Sequence, residues 1–346
     1  MKKSMKNFLF AILGIFFLLH ANAVFAQRGS ASQSNTVDVR LASFMPRNSE
    51  WGRTLDRMAA EWTRVTENRV RLRVIHDGVE GNEQKMLSSL STNNIQAAVF
   101  SSFGLNSICP SVMTVSVPFL IRTEAELDRV LLDARPLLDA QVSKTNYAVL
   151  AWSKGGWVNF FSKEPVVTPD DLRRLKVATN SDVPKLNAAF KVMGFDLVEA
   201  DILDVGQKIA SNAINAFYQT PAAVAPLGLQ KQVSNMMETT IAPFLGGIVI
   251  NRVTWNKISP ADQSKILQVT QKIATDFDKI MPEMSANGIL QMQRGGLKVN
   301  KLSPAQEQLW QAEVQKVMPM LLGNNTFDPE LYNKINEILR ETRSGK

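Results

Sequence analysis

The chain has 346 residues, 39 Lys and Arg against 32 Asp and Glu, two histidines and one cysteine. A single cysteine, Cys109, excludes an internal disulfide and reads as a small buried hydrophobe. The formal charge of +7 is modest for this length and interspersed; its densest run, RVRLR at Arg69–Arg73, fits a strand with one solvated face and excludes a nucleic-acid stripe.

At the N-terminus, Lys2, Lys3 and Lys6 precede an apolar run from Phe8 to Leu19, followed by the small residues Ala21, Ala23 and Ala26. This pattern predicts a secretory signal peptide over 1–26, cleaved after Ala26 or Ala23, because a membrane span needs roughly 20 apolar residues. No cysteine lies near the site, so no lipid anchor is expected. Removing residues 1–26 takes three lysines and no acid, which lowers +7 to about +4. Residues 27–35 read as a flexible linker.

The remaining length suggests two domains. Val37, Val39 and Leu41 alternate with polar residues, Leu55, Met58, Trp62 and Val65 recur at helical spacing, and Val70, Leu72 and Val74 alternate again: a β-α-β unit. Met86, Leu87 and Leu90 continue with a second helix, and Ala97 to Phe100 reads as a short buried strand. A mainly parallel sheet with helices on both faces follows, and its ligands belong beyond the strand C-termini, at Ala42 to Met45, Ile75 to Gly78 and Phe100 to Ser102.

Further along, Thr168-Pro169, Ser259-Pro260 and Ser303-Pro304 each place a capping hydroxyl before proline at the first helical position. Asp171, Asp262 and Gln306 stand at N3, and Asp328-Pro329 is a weaker copy. Between Ser259 and Gly295-Gly296 the apolar stripe Ile266, Val269, Ile273, Phe277, Ile280, Met284 predicts a long helix kinked at Pro282, the alternative being two helices divided there.

In this order, the opening β-α-β unit, Val117-Pro118-Phe119, TPDDLRRLKV from Thr168, VMGFDLVEA from Val192 and KVNKLSPAQ from Lys298 resemble the solute-binding proteins of tripartite ATP-independent periplasmic (TRAP) transporters. The resemblance runs from about Val37 to Met320. It implies an α/β fold of two domains with mixed, mainly parallel sheets, a ligand cleft between them and a long helix spanning both. The domains would be 36–154 with 243–283, and 155–242 with 284–325, leaving 326–346 as a C-terminal helix. It further implies a periplasmic receptor that hands a small molecule to a membrane permease, and it permits a tetratricopeptide-repeat partner. No cofactor, metal or enzymatic activity is expected.

Family members that carry organic acids place an arginine where this chain has Ala178, and often a cation where it has Trp157. A guanidinium there grips a carboxylate bidentately, and losing a charged hydrogen-bond partner costs about 1.5–3 kcal/mol. Each aromatic ring, by contrast, can bury roughly 150–250 Å² at about 25 cal/mol per Å² of apolar area. The expected ligand is therefore apolar or amphipathic, held by Phe44, Trp51, Trp157, Phe160, Phe217, Tyr218 and Phe244, with Ala178 in the wall and Ser101, Ser102, Asn180 and Gln219 orienting it. Phe44 and Phe160 read equally well as core. Two alternatives stay open: an organic-acid receptor whose arginine, Arg47 or Arg122, reaches in from elsewhere, and a ligand-free scaffold. His76 reads as a hydrogen-bonded strand end, and Glu61, Glu67, Glu80 and Glu83 as surface positions.

Overall fold

The computed structural model describes residues 36–344, so the signal peptide and linker read at 1–35 lie outside the described residues. In chain order the strands are β1 (Val37–Ala42), β2 (Val70–Ile75), β3 (Ala97–Ser101), β4 (Tyr147–Trp157), β5 (Asn159–Ser162), β6 (Lys176–Thr179), β7 (Asp196–Glu199), β8 (Ala216–Gln219), β9 (Asn235–Met237), β10 (Pro243–Asn251) and β11 (Lys298–Asn300). They form two mixed sheets, ordered β2-β1-β3-β10-β4 and β11-β9-β5-β8-β6-β7. β1 runs parallel to both β2 and β3, the outcome the opening β-α-β pattern predicts. Antiparallel β10 and β4 complete the first sheet, and β6 lies parallel to β7 and β8 in the second.

Alternation along β1 sends Val39 and Leu41 into a core with Leu55, Met58 and Trp62 of the helix Glu50–Val65. The second sheet has its own core, in which Phe161 and Phe217 stack at 5.4 Å. Each of the four predicted helix starts carries a side-chain cap, and Thr168 and Ser303 form full capping boxes with Asp171 and Gln306. The first of these helices, Pro169–Arg173, delivers the chain into β6.

Pro260–Arg294 is one helix of 35 residues with Pro282 inside it, so the chain is not divided there. At about 1.5 Å per residue it is long enough to serve both sheets: Ile266 and Ile273 enter the first core and Met292 the second. Asp278 pins it to β4 by accepting from the Ser153 hydroxyl at 2.6 Å and the Lys154 amide at 2.8 Å.

The chain passes between the sheets at two adjacent points. One lies between β4 and β5, the other between β9 and β10, and they hydrogen-bond to each other through Val158 N to Ala242 O (3.0 Å) and Ile241 N to Val158 O (2.7 Å). Gly156 turns there at φ +97°, where a Cβ would crowd Met281 of the long helix at 3.2 Å. Two paired strands and one helix are thus among the covalent links on which the sheets can pivot.

Candidate functional site

Between the sheets lies a cleft with about 540 Å³ of empty space, part of it open to solvent. On the first-sheet side the strand ends supply it: Phe44 follows β1, Ser101 ends β3, and Phe244 lies near the start of β10. On the second-sheet side β6 contributes Ala178 and Thr179, Asn180 follows, and β8 contributes Phe217, Tyr218 and Gln219. Eight of the twelve residues expected at the site therefore line one cavity.

The other four lie elsewhere. Ser102 is fully buried, and its hydroxyl donates to Leu245 O at 2.9 Å while accepting from Leu245 N at 3.1 Å, which fixes β10 and leaves little for a ligand. Phe160 is core, stacked 5.5 Å from Trp310, although one edge reaches an apolar side pocket. Trp157 donates to Glu124 Oε1 at 2.5 Å and faces a separate space of about 1120 Å³ beside Met281 and Pro282. Trp51 lines an apolar pocket on the helix-covered face of the first sheet.

Ala178 is 4 % exposed, and among the described residues that line the cleft none is cationic. Neither alternative arginine joins them. Arg47 lies exposed against Asp56 at 3.3 Å, and Arg122 lines another hollow with Arg343.

What does reach the cleft is an acid. Glu83, expected on a surface, is 6 % exposed, because it stands at the first position of the helix Glu83–Ser91 where that helix meets the end of β3. Its Oε1 accepts from the Ser101 amide at 2.5 Å and its Oε2 from the Ser101 hydroxyl at 2.7 Å. Only glycine fits beside it at 104, where a Cβ would stand 2.8 Å from Glu83 Oε1. Burial pushes its carboxyl up to about 7 against the pull of the Ser101 hydrogen bonds, and Asp182 adds to the rise. Burial and then Asp201 likewise raise Asp182, one of whose oxygens is buried without a partner. Asp201 accepts from Asn82 Nδ2 at 2.6 Å, a hydrogen bond that joins the two sides across the cleft mouth.

The second sequence miss is Phe103, whose ring meets Phe244 at 5.4 Å and Tyr218 at 6.1 Å edge-on. The Tyr218 hydroxyl is buried with no well-formed hydrogen bond, and burial raises its pKa. Asn180 and Gln219 spend their side-chain oxygens on the amides of Asp182 (2.7 Å) and Thr220 (2.8 Å). The cleft thus offers rings, one unused phenol and the carboxyl of Glu83. His76 bonds Asp56 at 2.8 Å, away from the cleft lining. Cys109 is buried, and that burial pushes its thiol up to about 12. No cluster of metal-ligating side chains and no helix long and apolar enough to cross a membrane occurs among the described residues.

Residues 41–322 match the family described as bacterial extracellular solute-binding protein, family 7. Among curated proteins, the 2,3-diketo-L-gulonate-binding periplasmic protein of Escherichia coli K12 is 28 % identical over 240 residues, covering 68 % of this chain and 72 % of that one. Among solved structures, a TRAP periplasmic solute-binding protein from Ralstonia eutropha H16 with bound (S)-2-acetolactate superposes with a TM-score of 0.81 at 18 % identity, over 88 % of this chain and 99 % of that one. Another, from Sulfurospirillum deleyianum with bound succinate, has a TM-score of 0.80 at 18 % identity, over 87 % and 98 %.

Proposed function

The chain belongs to family 7 of the bacterial extracellular solute-binding proteins, and from that premise we propose that it is the periplasmic receptor of a TRAP-type transporter for an uncharged or amphipathic small molecule. It is a binding protein and not an enzyme, and it binds a small solute. The apolar cargo is the finer reading. One observation carries it: the cleft holds Ala178 and the buried Glu83, with no cation among the described residues that line it.

The physical argument is one of sign. Enclosing a carboxylate costs several kcal/mol in desolvation unless a partner charge offsets it. Glu83, once ionised, would add repulsion instead. An apolar body against Phe44, Phe103 and Phe244 incurs no such cost, and a donor group on it can meet Glu83 while an acceptor meets the Tyr218 hydroxyl. Closure would follow as the two sides pivot on the paired crossing strands, the solute favouring the closed form through contacts with both. A cleavable signal peptide would deliver the protein, a TRAP permease would read the closed surface, and a tetratricopeptide-repeat protein is a further partner the family permits.

The organic acids named for the relatives favour a second reading, an acid receptor. Calorimetry on the purified protein with succinate and D-glucuronate, beside native mass spectrometry of its copurifying small molecules, separates the two. An apolar copurifying molecule and no acid binding below millimolar concentration are expected. Submicromolar binding of either acid overturns the proposal.

A further inference from the structure

A second pocket lies wholly within the first-sheet half, with about 570 Å³ of empty space, part of it open to solvent, between the sheet face and the helices Glu50–Val65 and Pro260–Arg294. Its walls are apolar apart from a few groups, Met45, Leu55, Val99, Ile248 and Phe277 among them, and the bare backbone of Gly246 forms part of its floor. Two polar groups on its wall are unspent. Trp51 Nε1 and Thr54 Oγ1 are buried without a hydrogen-bond partner, and Thr54 as a whole is 7 % exposed. They stand three residues apart, on one face of the same helix.

Both are exceptions within this protein. Four of the other five tryptophans, Trp62, Trp152, Trp157 and Trp310, donate their indole N–H, to Thr270, Asp139, Glu124 and Val167 O. Helical Thr63 and Thr342 turn their hydroxyls back to the carbonyl four residues earlier, as Thr66 does at its helix end. Leaving a buried donor unpaired is costly, and a hollow with apolar walls takes apolar guests. Ser153 cannot serve the pair, because its hydroxyl is committed to Asp278.

We propose that this pocket is a second ligand site, separate from the cleft, for an uncharged and mostly apolar small molecule bearing one carbonyl-type acceptor. The acceptor takes the Trp51 N–H and the Thr54 hydroxyl, and the hydrocarbon part lies against Phe277 and the sheet. A carboxylate is excluded, since no cation lines the space among the described residues. The site draws no residue from the second sheet, so it fills whether the cleft is open or closed and does not depend on what the cleft carries.

The test uses the purified protein, 15N-labelled at its indoles, with three probes: methyl benzoate, toluene and benzoate. Methyl benzoate is expected to bind and to move the Trp51 indole resonance downfield, that resonance being identified by its loss in Trp51→Phe. Toluene is expected to bind without the downfield move, and benzoate not to bind. Thr54→Val should weaken methyl benzoate about three- to tenfold and leave toluene unchanged, while melting no lower than the parent because it removes an unpaired hydroxyl. An unmoved Trp51 resonance at millimolar methyl benzoate overturns the proposal, as does an affinity that Thr54→Val and Trp51→Phe both leave intact.

Discussion

The two walls of the cleft are built by opposite means. On the first-sheet side, the position of Ser101 depends on a buried carboxyl that grips both its amide and its hydroxyl. On the second-sheet side, Ala178 and Phe217 belong to an apolar layer in which Phe161 stacks on Phe217, Tyr218 packs on the opposite face of β8 against Phe160, and the polar groups that line the cleft there, Thr179, Asn180, Tyr218 and Gln219, are uncharged. The contrast teaches that one wall responds to pH and the other only to packing. A receptor made this way can hold the shape of its apolar wall while the hydrogen-bonding character of the facing wall changes with the proton on Glu83.

The largest effect should come from breaking the packed wall. Phe161 is fully buried, and a Phe→Ala change at such a site costs about 3–5 kcal/mol through lost burial and the cavity left behind. Phe161→Ala should therefore lower unfolding stability by that amount in urea titrations, at pH 5 and pH 8 alike. A loss below about 1 kcal/mol would mean that the stack does not carry the second wall.

Next comes the titratable wall. Glu83→Ala leaves the Ser101 amide and hydroxyl unpaired and should cost about 1–3 kcal/mol. The pH signature is more specific. Folding raises the Glu83 pKa from the ordinary 4.5 to about 7, so between those values the folded protein holds a proton that the unfolded chain has lost. Stability from this group is therefore full below about pH 4.5 and falls as pH rises towards 7. Glu83→Gln, which keeps the shape, should flatten that part of the stability–pH curve. An unchanged slope would show that the first wall does not titrate through Glu83.

A smaller effect tests how the apolar wall is aimed. Thr168 and Asp171 cap the helix that feeds β6, and Thr168→Ala should cost about 1 kcal/mol at neutral pH. An effect near zero in thermal melts would separate the placement of β6 from its capped helix.

The sequence made the scaffold legible because its signals are local. Alternation at Val37–Leu41 and Val70–Val74 predicts parallel strands, and hydroxyl-proline pairs at Thr168, Ser259 and Ser303 mark helix starts whichever way the elements pack. The second-sheet wall was legible for the same reason, Ala178 and Phe217–Gln219 lying on short strands whose ends face the cleft. Glu83 was not. Its burial comes from the docking of one helix N-terminus on the end of β3, a contact across 18 residues for which GNEQKM gives no local sign, and the room for it is left by the missing side chain of Gly104. Ring chemistry points Trp51 and Trp157 to the cleft, yet which face of a helix or a crossing strand they take is decided by tertiary packing, and both face other hollows.

The smallest effect has an unusual sign. Tyr218 carries a buried hydroxyl with no well-formed partner, so Tyr218→Phe removes a desolvated polar atom while keeping the ring against Phe103 and Phe160. Deleting a paired hydroxyl would cost about 1 kcal/mol, whereas deleting an unpaired one should leave the ligand-free protein unchanged or up to about 1 kcal/mol more stable. With the copurifying molecule bound, the same change should remove one hydrogen bond, and the stabilisation that the ligand confers in thermal melts should shrink. Higher stability without ligand together with a smaller ligand-induced rise would place the phenol in the binding wall. A loss of stability without ligand would show that the hydroxyl belongs to the packing of the second sheet, and the division between the two walls would have to be redrawn at β8.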